Sequence, residues 1–196
     1  MPAYKTINNT SEFRITDSPS VRGSVTQPAT GKITYKAEQF GALNYVKLTL
    51  DNVPQTVVNG TEYQGTKIYT FPEGRILVLG GTATLRQKTT SALASTLNAS
   101  STGAIALGTA TASNVSLTST MVDLLPSTAF TSSATVNVAG TAVSAALAAS
   151  AQFDGTSTAK SMYLNTAYAT TTDVDGDATQ TISGTINIVW VFLGDY

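Results

Sequence analysis

The chain has 196 residues, of which 12% are charged and 42% hydrophobic, and its formal net charge is −1. That length suits one large domain, or a domain with an arm, and the charged share is about half the roughly 25% of an average globular domain. There is no His and no Cys, which removes the commonest general base and transition-metal ligand, as well as any thiol nucleophile, zinc–thiolate site or disulfide framework. Composition therefore points away from an enzyme and from a bound cofactor, and toward a binding or structural role.

Charge is unevenly placed. Up to Lys88 there are ten Lys/Arg and six Asp/Glu, a net of +4; from Thr89 onward there is one base, Lys160, and six Asp, a net of −5. The bases are spread out, with Lys32, Lys36 and Lys47 standing among aromatic and apolar residues. A nucleic-acid footprint is denser than this, so no nucleic-acid partner is expected. The N-terminus lacks a basic segment followed by an apolar run, so it does not read as a secretory signal. The longest apolar stretch, INIVWVFL at 186–193, is too short for a membrane-spanning helix, and no membrane partner is expected.

In chain order, residues 1–31 are polar and punctuated by Pro2, Pro19, Pro28, Gly23 and Gly31. They read as an extended N-terminal arm, whose isolated Tyr4, Phe13 and Ile15 are candidate anchors onto a partner. From residue 32 to 196 the text is that of a β domain. In KITYKAEQFGALNYVKLTLDNV, residues 32–53, Tyr45, Lys47 and Thr49 alternate with Val46, Leu48 and Leu50, the period of a half-buried strand. TKIYTF (66–71) and RILVLG (75–80) are strands joined by a tight turn at Pro72-Glu73-Gly74. Gly80-Gly81 reads as further punctuation before TATLRQ (82–87) resumes as strand. TTSALASTLNAS (89–100) suits a loop or a short helix, with Leu93 and Leu97 four residues apart.

Beyond it, apolar residues recur in period-two pairs: Ile105 and Leu107, Val115 and Leu117, Val122 and Leu124, Val136 and Val138. Short strands separated by turn signals predict an all-β sandwich or barrel. Asp154-Gly155 is a turn pair, followed by a strand with Met162, Leu164 and Tyr168 facing in. In the last element Ile182, Ile186, Ile188, Trp190 and Phe192 share one face, and Val189 and Val191 make the other face apolar too. Such a strand is central, or is held between a core and a partner.

One motif invites a metal reading. TTDVDGDATQ (171–180) alternates Asp173, Asp175 and Asp177 around Gly176. An EF-hand loop needs Gly at its sixth position and Glu at its twelfth; counted from Asp173, Gly176 is fourth and the twelfth residue is Gly184. The segment reads instead as a solvated turn before the last strand; no metal site is expected, and Asp173, Asp175 and Asp177 are only the weaker candidates for a non-EF calcium site built from carboxylates and carbonyls. The aromatic residues Tyr35, Phe40, Tyr45, Tyr63, Tyr69 and Phe71 crowd the basic half. They read as core and interface anchors rather than a carbohydrate platform. Among them Tyr35, Phe40, Tyr63 and Phe71, together with Arg75, are the candidate interface residues.

The runs GAIALGTATASNVSLTSTMVDLLPSTAF, FDGTSTAKSMYLNTAYA and SGTINIVWVFLGDY resemble a family of small structural proteins of tailed bacteriophages, the capsid decoration or cement proteins, often encoded beside the major capsid protein. The resemblance spans roughly residues 75–196, and its distinctive pieces are FDGTSTAK, MYLN and WVFLGDY. It implies a jelly-roll-like antiparallel β-sandwich. It also implies a symmetric oligomer, a homodimer or homotrimer, on the outer surface of the virion capsid, clamping neighbouring capsomers of the major capsid protein; the missing secretory pattern adds the expectation that the chain is made in the host cytoplasm. No catalytic or metal residue carries over from it. Two other readings stay open to the sequence: a receptor-binding or tail-fibre head domain that binds host-surface glycans, and a β-sandwich enzyme or carbohydrate-binding module.

Overall fold

The computed structural model describes residues 23–58, 60–89, 102–131, 143–147, 151–168 and 178–194. Tyr4, Phe13, Ile15, the 90–100 segment, Val136, Val138 and the three aspartates at 173, 175 and 177 lie outside the described residues.

Eleven strands are present among them: β1 (Ser24–Val25), β2 (Lys32–Phe40), β3 (Leu43–Val57), β4 (Tyr63–Thr70), β5 (Gly74–Thr89), β6 (Thr102–Gly108), β7 (Leu125–Thr131), β8 (Val143–Leu147), β9 (Ala151–Gly155), β10 (Ser161–Tyr168) and β11 (Ala178–Gly194). They form two antiparallel sheets. Sheet one has the order β1-β4-β10-β6-β7, and sheet two the order β2-β3-β11-β5-β8, with β9 on the same edge of β5 as β8.

The pairings are nested. β3 pairs with β11, β4 with β10, β5 with β8 and β9, and β6 with β7. The chain is thus one long antiparallel ribbon with its tip at β6–β7, rolled so that alternate rungs fall in opposite sheets. This is the jelly-roll connection, a double sheet that limits the open edges of an all-β chain. β1 and β2 add one strand to each sheet. β1 lies within the segment expected as an arm, yet it pairs with β4, and the Gln27 side chain exchanges hydrogen bonds with the backbone of Ile33 at 2.6 and 3.0 Å. Residues 24–27 are therefore docked on the sandwich.

Alternation sets the core, and two bulges preserve it. In β3, Val46, Leu48 and Leu50 are buried, and then the inward set shifts by one to Val53, Gln55 and Val57. Asp51 and Asn52 together face Ser183, a bulge that absorbs the extra residue. Asn52 takes a left-handed backbone, φ 52°, which Asn tolerates better than most residues, and its N–H donates to Ser183 Oγ at 2.9 Å. In β5 the same happens at Leu79-Gly80, which together face Val189. Gly80-Gly81 does not break the strand as the sequence suggested: β5 runs unbroken from Gly74 to Thr89, because the glycine at φ 131° accommodates a bulge.

Between the sheets lies a core that includes Ile33, Ile68, Ile76, Leu85, Ile105, Leu107, Met162, Leu164, Ile186 and Ile188. Phe71 is edge-on to Tyr69, Phe153 and Trp190, with centroids 5.2, 4.9 and 5.9 Å away. One end of the interior is polar. Tyr168 Oη donates to Gln180 Oε1 at 2.8 Å, Gln180 Nε2 donates to Thr166 Oγ1 at 3.4 Å, and Thr166 Oγ1 donates to Gln55 Oε1 at 3.3 Å. Gln55 Nε2 closes the chain on the Leu164 carbonyl at 3.3 Å. This buried chain links β10 in sheet one to β3 and β11 in sheet two. Mutual satisfaction is what allows polar groups to be buried there.

Candidate interaction surface

The two outer faces of the sandwich differ. On sheet one, several outward residues of β6 and β10 are small, Ala104, Ala106 and Ala167, beside Asn165. That leaves room for the β6–β7 connection, residues 109–124, to lie flat against the sheet, and Ala112, Leu117 and Met121 bury against it. Asn165, fully buried, fixes the connection. Its Oδ1 accepts from Ala112 N at 2.9 Å, and its Nδ2 donates to the carbonyls of Ala110 at 2.9 Å and Met121 at 2.8 Å. Asp123 holds the entry, accepting from Thr109 N at 2.8 Å and Thr109 Oγ1 at 2.6 Å. The period-two pairs Val115/Leu117 and Val122/Leu124 are therefore not strands. This stretch is irregular apart from a 3-10 turn at Ser119–Met121, and Leu117 has φ 43°. Its apolar residues face a sheet because the connection is draped over one.

Sheet two has no such cover among the described residues. Its outward side chains fall into cross-strand rows that the register fixes. Phe40, Leu43, Val191 and Leu77 stand side by side on β2, β3, β11 and β5. Adjacent strands are about 4.8 Å apart, so this row crosses roughly 14 Å of sheet. Phe40 is 53% exposed and Leu43 41%. Tyr45 and Val189 form the next row inward, and Leu79, at the bulge, is 44% exposed. Ion pairs flank the apolar end: Lys36 Nζ is 2.7 Å from Glu38 Oε1 on β2, and Arg75 Nε is 3.7 Å from Asp154 Oδ2 at the β5–β9 edge. Asp154 accepts hydrogen bonds from the hydroxyl and the N–H of Thr156, which hold its carboxyl below the usual carboxylate range, with a smaller contribution from Arg75.

The remaining rows are polar. Lys36 pairs with Lys47, which pairs with Asn187 and then Thr82. The next row is all threonine: Thr34, Thr49, Thr185 and Thr84. Lys32 and Asp51 lie opposite each other on β2 and β3, and Arg86 and Lys88 project from the far half of β5.

The candidate interface residues do not converge on one site. Phe40 belongs to the apolar row and Arg75 to its rim. Tyr35 is 49% exposed on the edge strand β2 but on the side that faces sheet one, where it neighbours Tyr69. Tyr63 is half-buried against the Ala106–Met121 cluster on the opposite face. Phe71 has to be corrected. It is 1% exposed, enclosed by Tyr69, Phe153 and Trp190, and has no surface to offer a partner. The residues that sequence reading passed over are Leu43, Leu77 and Leu79. Their signal was available for Leu43, which lies two before Tyr45 on the outward face, and in the apolar second face of β11.

Among the described residues, no group of three or more Asp or Glu side chains is placed to hold a metal ion. No family model matches the chain, and no curated protein matches it. Among solved structures, it is similar to a chain in the structure of infectious bursal disease virus, Gt strain. That likeness has 13% identity and a TM-score of 0.26, and it covers all of this chain and 38% of the other. At that level the similarity carries no functional argument.

Proposed function

We propose that this chain is a structural virion protein: a decoration, or cement, protein that binds the outer surface of an icosahedral phage head as a small homo-oligomer and stabilises contacts between capsomers. One observation carries the reading. The jelly roll covers part of one outer face with its own connection, while the other, uncovered among the described residues, is apolar at one end and rimmed by charge. Exposed apolar patches with polar rims are features of protein-binding surfaces. The lack of His and Cys supports a binding role over a catalytic one. A cement protein needs no strong single contact, because weak contacts multiplied over symmetric copies hold the shell.

The test is reconstitution. Purified full-length chain is added to heads of the encoding phage that lack it, and binding is followed by cosedimentation and electron microscopy. The expected result is saturable binding, with added density at regular positions on the outside of the head and a higher temperature of head rupture. Absence of binding, or localisation to the tail, refutes the reading.

A further inference from the structure

The outer face of sheet two, uncovered among the described residues, is asymmetric in charge. Apart from the Arg75–Asp154 pair at its rim, its outward residues among those described include five bases, Lys32, Lys36, Lys47, Arg86 and Lys88, and two acids, Glu38 and Asp51. Five minus two leaves +3 here, whereas the other charged residues among those described, Lys67, Arg75, Lys160, Glu62, Glu73, Asp123 and Asp154, sum to −1, three minus four. Lys36 and Lys47 are direct cross-strand partners, an arrangement that costs stability when like charges oppose each other. Glu38 offsets Lys36, whereas Lys47 forms no ion pair among the described residues. Nothing in the fold requires bases here; the neighbouring row shows that threonine serves the same strands.

We propose that the outer face of sheet two is the surface that meets the capsid, and that its partner there is an acidic protein surface carrying apolar side chains that seat on the Phe40–Leu43–Val191–Leu77 row. The proposal rests on the cement reading above. A second copy of the chain does not fit this face. Two such faces pressed together would oppose Lys47, Arg86 and Lys88 to the same basic field, and like charges across an interface select against association. Nucleic acid fits poorly as well. The bases are interleaved with Asp51, Glu38 and a row of threonines, and one end of the face is apolar, unlike a phosphate-tracking stripe. An acidic protein surface satisfies both parts: the charges steer and orient it, and the apolar row supplies the area removed from water.

The experiment uses the full chain, undecorated heads and four variants. Lys47→Glu with Arg86→Glu reverses charge on the face. Phe40→Ser with Leu43→Ser empties the exposed part of the apolar row. Lys67→Glu is the control, a charge reversal on sheet one. Lys47→Arg keeps the charge. Wild type should bind about tenfold more weakly at 500 mM than at 50 mM NaCl. Both double variants should lose about tenfold in affinity at low salt, with unchanged oligomeric mass and melting temperature, while Lys67→Glu and Lys47→Arg bind as wild type.

If wild type binds heads and both double variants bind equally well, the face is wrong and the cement reading stands. If wild type does not bind heads at all, both fall. A change in oligomeric mass on Phe40→Ser/Leu43→Ser overturns the proposal in favour of a contact between copies. Tight binding of a duplex DNA oligonucleotide that Lys47→Glu/Arg86→Glu abolishes overturns it in favour of nucleic acid.

Discussion

Asn165 offers the sharpest test of how the outer face of sheet one is sealed. Replacing it by Leu keeps the branching and the number of heavy atoms, with bulkier methyls in place of the amide, and removes all three hydrogen bonds to the 109–124 connection. The Ala112 N–H and the Met121 carbonyl would then be buried without a partner, while the Ala110 carbonyl lies in a partly exposed stretch. A buried polar group left unsatisfied costs about 1–3 kcal/mol, so two such groups set the loss at about 2–6 kcal/mol. That is a large part of the roughly 5–15 kcal/mol that holds a domain folded.

Trp190, the chain's one tryptophan, is fully buried at the centre of the core and reports global unfolding. With a urea slope of about 2–3 kcal/mol/M, the midpoint should fall by roughly 1–2 M. Limited proteolysis should also show earlier cleavage within 109–124. A midpoint within about 0.3 M of wild type, which on that slope is less than about 1 kcal/mol, would refute the claim that Asn165 fastens this connection.

Gly108→Ala tests the same contact from the sheet side. A Cβ there would lie 2.3 Å from the Met121 carbonyl carbon and the Thr120 carbonyl oxygen, both backbone. The expected loss is about 1–3 kcal/mol, seen in calorimetry as a fall of roughly 2–12 °C in Tm. Tyr168→Phe removes the 2.8 Å donor to Gln180 and leaves a buried amide oxygen short of a partner, which should cost about 1–3 kcal/mol by urea titration. Phe71→Ala should cost about 3–5 kcal/mol as a core cavity and leave head binding of the folded fraction unchanged; a binding defect in fully folded protein would restore it as a contact residue. For Asp154, the folded-state pKa lies below the unfolded one. Its contribution is therefore complete above the unfolded carboxylate range and is lost as pH falls through the folded-state value. Thr156→Val removes one of the responsible hydrogen bonds and should raise the Asp154 midpoint in an NMR titration; no movement would show that the hydroxyl does not set it.

Local alternation by itself determined a good deal. It assigned the inward and outward sets of β3 through Leu50, the inward residues of β10, and the two-sided apolar character of β11. It did so because each strand's period depends only on its own neighbours in sequence. It failed at Gly80-Gly81, since a glycine pair marks a bulge and a turn alike, and only pairing with β11 distinguishes them. It failed again over 115–124, where apolar residues two apart sit on an irregular connection draped across a sheet.

The tertiary structure alone decided the rest. Phe71 and Phe40 are the same residue type, each close to a strand end, yet one is enclosed by aromatic rings and the other stands in solvent. The apolar row exists only because β2, β3, β5 and β11 are brought into one register, with Leu43 and Val191 far apart in the chain. The basic field likewise joins Lys47 to Arg86 across β11. Sequence specifies which way each side chain points from its strand; the jelly-roll winding specifies which of them become neighbours, because the pairings that do so close loops much longer than any local pattern can encode.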